Sequence, residues 1–550
     1  MKAIFKVLAG AALTTAATSC SSFLDINNNP NNQTSVTPDS QLASALVTTA
    51  ANYTGGVNAG TNYNSYASFA AGYWGKSGTV SGFSEERTYN YSTTYYQNLW
   101  NATYDNLEDY QQIQSSGAGA GNYPYHAAIA RIMKVYNFLL LVDEYGDIPY
   151  SQALRGLGNV APTYDKQADI YKDFIVQLKG AVADINATDA AKTATFTPRT
   201  VGPEDVVFQG NMTRWKQFAN SLRLRILLRE SSTNDAALNS YVATEMTALQ
   251  SSATDGYITT DVIVQPGFAA NTGQQNPFYN RYGVAAGATR FNAEYSYIVP
   301  TKYIIRQYLS NSDARISQLY TVGTVDSVAA YSGTDLGEAN PPQFDPTTRR
   351  VGSRFLNGGA FLKSATAPTV LMLLSEHLFS KAEAESRGLL AGGDAQQDYL
   401  DGIKASFITT YRAATTTPIA LAAATTTTGG VTQYNAYIAA NTTNGLVDWA
   451  SATTTVPDGR GSSVPRAVSK TDKILYQKYL AENTLASTEA WDDYRRTAQP
   501  KFMVSLQSAS PRTDKLATRL LYPQTEVSTN NANIPTGVTQ FTKLFWDVID

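Results

Sequence analysis

The chain has 550 residues, with 42 basic and 45 acidic side chains, a formal net charge of −3, 35 tyrosines and one cysteine. Near-balanced charge argues against a nucleic-acid binder, which needs a concentrated basic surface, and against a polybasic membrane-surface protein. A single cysteine forbids any intramolecular disulfide, so stability must come from a large apolar core.

Residues 1–19 read as an export signal. A basic start (Lys2, Lys6) precedes an apolar run from Val7 to Leu13 and the small residues Ala16-Ala17-Thr18-Ser19. The apolar run is shorter than the roughly 20 residues a bilayer span needs. Cys20 follows directly, where a diacylglycerol thioether would be made, and is the expected lipidation site; two or more acyl chains anchor a protein stably. Residues 20–40, with Asn27-Asn28-Asn29-Pro30-Asn31-Asn32 and Thr37-Pro38-Asp39, carry turn and linker chemistry. They read as a lipidated tether to one folded domain over 41–550.

Downstream the apolar spacing is helical. Helices are expected near 41–53, 94–115, 123–143, 164–184, 235–250, 300–310, 394–413 and 470–497. Ile129, Ile132, Tyr136 and Leu139 share one face, as do Trp215, Phe218, Leu222 and Ile226, and again Leu371, Leu374, Leu378 and Ala382. Tyr164-Asp165 reads as the cap region of its helix. Ala219, Ala382, Ala384 and Ala405 are small enough for close helix packing. Long stretches rich in Gly, Thr, Asn and Tyr separate these helices at 54–93, 255–299, 321–365 and 415–468, lengths that in a compact protein usually serve function. Thr425–Thr428 with Gly429-Gly430 reads as a linker.

Catalytic and cofactor motifs are lacking. His126 and His377 each fall in an expected helix and read as packed helix residues. There is no His-Glu-x-x-His, no cysteine pair and no Gly-x-Ser-x-Gly. Gly75-Lys76-Ser77 resembles the end of a phosphate loop, but position 70 is Ala, so it reads as a surface turn. Gly117, Gly119 and Gly121 are followed by Asn122, which breaks a dinucleotide pattern. Glu85-Glu86, Asp492-Asp493 and Glu383 with Glu385 read as caps and helix-surface ion pairs. No cofactor, metal or catalytic residue is expected.

Ligand contacts are expected from loop aromatics, because flat rings cover the apolar face of a sugar while nearby polar groups bond its hydroxyls. The first group is Trp74 in Gly72-Tyr73-Trp74-Gly75, with Tyr63, Tyr66, Tyr73 and Phe83 around it. Trp449 in Asp448-Trp449-Ala450 is a second candidate, and Tyr279, Arg281 and Tyr282 form a third group. The competing reading is that these rings anchor loops into the core.

Six longer strings recur in one order: Glu144-Tyr-Gly-Asp-Ile-Pro-Tyr-Ser151, Trp215-Lys-Gln-Phe-Ala-Asn-Ser-Leu-Arg-Leu-Arg225, Leu374-Ser-Glu-His-Leu-Phe-Ser-Lys-Ala-Glu-Ala384, Gln477-Lys-Tyr-Leu480, Glu489-Ala-Trp-Asp-Asp-Tyr-Arg-Arg-Thr497 and Arg519-Leu-Leu-Tyr-Pro-Gln-Thr-Glu526. Behind an export signal and an Asn/Pro tether, they resemble the SusD/RagB family of nutrient-binding lipoproteins across the whole mature chain. The resemblance implies a mostly α fold: tetratricopeptide-like helix pairs forming a right-handed scaffold, with long irregular ligand-facing loops. It implies an outer-membrane lipoprotein facing the cell exterior. Such a protein captures oligosaccharides or peptides and delivers them to a TonB-dependent, SusC-like β-barrel partner. It carries over no catalytic residue. A surface glycan hydrolase is the alternative, and an adaptor that only braces the barrel is a third class. The strings themselves read as structural: Trp215 and Trp491 as core, Arg495 and Arg496 as partners of carbonyls or acids, and Gly146-Asp147-Ile148-Pro149 as a helix-ending turn.

Overall fold

A computed structural model of the chain describes residues 37–55, 62–118, 122–193, 196–459 and 465–547; residues 1–19, Cys20 and the tether up to residue 36 lie outside them. Helices dominate. They are α1 (Pro38–Ala50), α2 (Tyr63–Ala70), α3 (Gln97–Ala118), α4 (Pro124–Tyr145), α5 (Gln167–Ala191), α6 (Met212–Glu230), α7 (Ala236–Ser252), α8 (Pro277–Tyr282), α9 (Lys302–Ser310), α10 (Leu374–Ser386), α11 (Ala395–Tyr411), α12 (Val431–Ala440), α13 (Lys470–Glu482) and α14 (Ser487–Thr497), with a few shorter turns. Successive helices pack on one another from α3 through α7, and α10 packs on α11 and α13. Strands among the described residues form only two-stranded antiparallel ribbons.

The helical spacing places these elements well, and the departures have local causes. Helix α1 starts at Pro38, inside the span read as tether, because proline suits the first turn, where no N–H partner is needed. Tyr164-Asp165 is a strand paired with Ile148–Pro149 rather than a cap. Asp165 instead accepts the Tyr150 and Ser151 amides, and Asp147 accepts the Gln167 amide at the start of α5. Leu371 belongs to the strand Thr369–Met372, and α10 begins only at Leu374, whose amide is capped from a distance by Asp261. The span 470–497 is two helices. Asn483–Ala486 interrupts it, with Thr484 at a φ of 63° and the Asn483 amide held by the hydroxyls of Tyr308 and Tyr320. Gly146 does end α4, at a φ of 74°.

The long stretches are less irregular than their composition. Tyr63, Tyr66, Ala67 and Ala70 stand at helical spacing, and α2 is buried along its whole length. Gly75-Lys76-Ser77 is no surface turn: Trp74–Lys76 pairs with Ile298–Pro300, and a Cβ at Gly75 would lie 2.0 Å from the Thr334 methyl.

Most apolar side chains join one core, while Phe379, Tyr399, Ile403, Phe407 and Tyr437 centre a second, smaller cluster. The carboxylate strings form something that surface reading misses. Four arginines and a lysine are buried among eight carboxylates from α4, α10, α13 and α14. Arg225 holds Glu376 at 2.7 Å and Glu489 at 3.1 Å; Arg229 binds Asp143, Glu489 and Asp492. Arg495 binds Asp492 and Glu144 and also caps the Asp143 carbonyl at the end of α4. Arg496 bridges Glu383 and Asp493, and Lys478 binds Asp493 at 2.7 Å with Glu482 at 3.8 Å. Burial pushes Glu144 and Glu482 well up, whereas the Arg496 and Lys478 charges overcome burial at Asp493 and hold it at about 2. Charges taken out of water require such mutual satisfaction.

Candidate functional site

Trp74 is the centre of an aromatic hub. Its indole Nε1 donates to Thr484 Oγ1 at 2.9 Å, in the break between α13 and α14. Its ring meets Phe69 at 5.8 Å, Tyr282 at 5.6 Å, Phe355 at 5.6 Å and Phe278 at 6.5 Å, mostly tilted or edge-on, as ring quadrupoles prefer. The indole is 0% exposed, so no face is open to a ligand. The same holds for Tyr63, Tyr66, Tyr73 and Tyr282. Tyr63 bonds Thr103, Tyr73 stacks on Tyr479 at 4.4 Å and donates to its carbonyl, and Tyr66 meets Tyr91, Tyr95 and Tyr96 edge-on. These five aromatics, expected to face a ligand, are core residues. The flanking glycines serve packing: Gly72 has a φ of 72° and the Phe502 ring 2.7 Å from where its Cβ would be.

Half-buried residues form the rim above this hub. Phe83 lies 5.0 Å from Phe69. Tyr279 and Arg281 project from α8; the Arg281 guanidinium sits 5.4 Å from the Tyr282 ring and 4.0 Å from Glu294. Its Nε is buried with no hydrogen-bond partner among the described residues. The hub thus brings the first and third expected groups together. Trp449 stands apart on the smaller cluster, 5.2 Å from Tyr399, with the Lys470 ammonium 4.3 Å from its ring.

Composition had not singled out the neighbours of this rim. Phe291 and Tyr295 stack at 3.9 Å in the segment that returns against α8, where the Asn292 amide donates to Gly283. Arg354 lies 5.4 Å from the Tyr295 ring and 4.0 Å from Phe344. The visible signal was an arginine beside aromatics in two of the long stretches, but some sixty residues of sequence hide their meeting. A cleft beside the hub, between Thr54, Phe278, Phe361 and Lys363, holds about 60 Å³. Ligand pockets run to about 300 Å³ and above, so this cleft falls well below that range.

Below the rim, Glu86 is held at about 7 by burial. An unfolded glutamate ionises near 4.3, so the folded form keeps its proton longer. Stability from this group is complete at acid pH and is lost as pH rises towards about 7. Glu86→Gln is therefore expected to raise stability at about pH 8 by up to about 3 kcal/mol and to change little near pH 4. Urea unfolding at the two pH values checks this; an equal effect at both would contradict it.

His126 bonds Glu204 at 3.0 Å, and buried His377 lies against Tyr257, its imidazole held at about 3 chiefly by burial. Among the described residues, no group of three or more His, Cys, Asp or Glu side chains is placed to hold a metal. No described helix is long and apolar enough to cross a membrane.

A model of the SusD-like family, described as starch-binding and associating with the outer membrane, matches residues 30–523. The chain belongs to the SusD-like family. Solved structures share its fold. A chitin-binding protein is 22% identical, with 93% of this chain and 100% of that one covered at a TM-score of 0.67. A SusD-like protein from Bacteroides thetaiotaomicron is 20% identical over 92% and 99%, at 0.68. A chitin-binding SusD homolog from Flavobacterium johnsoniae is 21% identical over 92% and 98%, at 0.65. No curated protein matches the chain. The SusD-like architecture, tetratricopeptide-like helix pairs with loops on top, is thus the one expected from the strings. Those strings supply most of the buried ion lattice rather than the rim.

Proposed function

We propose that this SusD-like chain binds neutral oligosaccharides on the rim of Phe83, Tyr279 and Arg281 and does not cleave them. The observation that carries the reading is the set of half-buried side chains resting on the hub, the Phe83 ring on Phe69 and the Arg281 guanidinium beside Tyr282, which supply a ring and a cation suited to a sugar ring and its hydroxyls. Family membership supports it, as do the starch-binding description and the chitin-binding relatives. On the same reading the protein is a lipoprotein anchored through Cys20 in the outer membrane. It faces outward and passes its ligand to a TonB-dependent SusC-like transporter.

Calorimetry of the mature chain with malto- and chito-oligosaccharides and with oligopeptides, with products assayed in the same tubes, tests this. Binding without product is expected, and Phe83→Ala or Arg281→Ala should each weaken it by about 1 kcal/mol, roughly fivefold. Product release, or rim variants that bind like the parent, would overturn the reading.

A further inference from the structure

A second pocket lies on the helical side, between α3, α4 and α5, under the loop that follows Tyr150. It holds about 280 Å³, just under the roughly 300 Å³ at which ligand pockets begin, and none of its lining side chains is a carboxylate. Three cations line it: Arg131 and Lys134, three residues apart on α4, and Arg155 from the loop. The Phe138 and Tyr150 rings, 4.8 Å apart and edge-on, form an apolar wall.

Two of the three cations are held in place by neutral groups alone. Lys134 donates to the side-chain carbonyls of Gln111 and Gln114, and no carboxylate lies within ion-pair distance of it among the described residues. Arg155 donates to the Ser151 carbonyl at 2.9 Å and likewise has no acidic partner there. Arg131 donates through Nε to Gln177 at 2.8 Å and through Nη1 to Asp184 at 2.9 Å, which leaves Nη2. Its guanidinium lies flat across α5 at Gly180, where a Cβ would fall 2.2 Å from Nη2. A glycine inside a helix is less favourable than an alanine; here it admits the guanidinium.

We propose that this pocket binds a small carboxylated sugar of the hexuronic acid type, at a site separate from the aromatic rim. The carboxylate would sit between Lys134, Arg131 and Arg155 as a charge-assisted acceptor, and the sugar ring would lie on the half-buried Tyr150, which Phe138 backs. The proposal goes beyond the neutral-glycan reading and stands whether or not that reading holds.

The test is titration of the detergent-solubilised full mature chain with sodium glucuronate, with methyl glucoside as the neutral control. Glucuronate should bind at millimolar concentration and methyl glucoside should not displace it. Lys134→Gln should weaken glucuronate by about tenfold. Arg155→Ala, on an exposed loop where folding is not at stake, should weaken it in the same direction, and so should Gly180→Ala, which displaces Arg131. Affinity should also fall as pH rises from about 7 to 9. Burial brings Lys134 down to about 8 against the pull of Glu108 and Asp173, with Arg131 adding to the lowering, and an anion binds best while the ammonium is charged. No binding, equal binding of methyl glucoside, or Lys134→Gln and Arg155→Ala variants that bind glucuronate like the parent would each overturn the proposal.

Discussion

Arg229→Met is expected to destabilise the fold by at least about 3–5 kcal/mol, the cost of breaking a buried ion pair by removing one partner. Arg229 is 2% exposed and holds Asp143, Glu489 and Asp492 together. Without it, three carboxylates from α4 and α14 face one another in a medium that cannot solvate them. Burial already raises Asp143 and Asp492 above the ordinary range, and losing the guanidinium raises them further. A folded-state pKa above the unfolded one means stability that is present at acid pH and lost as pH rises. The deficit of Arg229→Met relative to the parent should therefore be smaller near pH 5 than near pH 8. Adding Asp143→Asn should restore part of it, by removing one uncompensated charge. Urea unfolding of parent, single and double variants at both pH values decides the matter. A single variant with the parent's midpoint at both would show that the lattice holds nothing together.

This lattice marks where the sequence was readable and where it was not. Helix spacing located α3, α4, α6 and α11 because a single apolar face is a local signal, and Trp215 and Trp491 are core as their helical neighbours imply. Asp492 and Asp493 looked like a surface pair because charge favours solvent unless a partner is buried with it. Arg495 and Arg496 stand three residues further along the same helix, a local pattern, but Arg229 and Lys478 come from two other helices, and no local pattern shows those pairings or the burial they permit. The loop face failed differently. Glycine-flanked aromatics suit a ligand platform and a packed hub equally well, since both need the backbone to come close. Burial alone separates Trp74 from Phe83, and burial is set by Thr484, Phe355 and Phe278, all more than two hundred residues away in sequence. The rim residues Phe291, Tyr295 and Arg354 were hidden for the same reason.

Trp74→Ala should therefore behave as a core truncation and not as the loss of a binding residue. Removing a fully buried tryptophan costs about 3–5 kcal/mol, because the transfer energy is lost and the cavity only partly collapses. Here the cavity would open between Phe69, Tyr282 and Phe355, and Thr484 would lose the indole donor that ties the α13–α14 break to the loop face. The rim residues Phe83 and Arg281 rest on Phe69 and Tyr282, the hub's own members. Glycan affinity is thus expected to fall in Trp74→Ala as well, but through a loosened platform and together with a lower unfolding midpoint. Phe83→Ala should lower affinity with the midpoint nearly unchanged, because a half-buried ring is less of the core. Measuring midpoint and affinity on both variants separates the roles. If Trp74→Ala keeps the parent's midpoint while affinity disappears, the indole is a contact residue and the loop face must open to expose it.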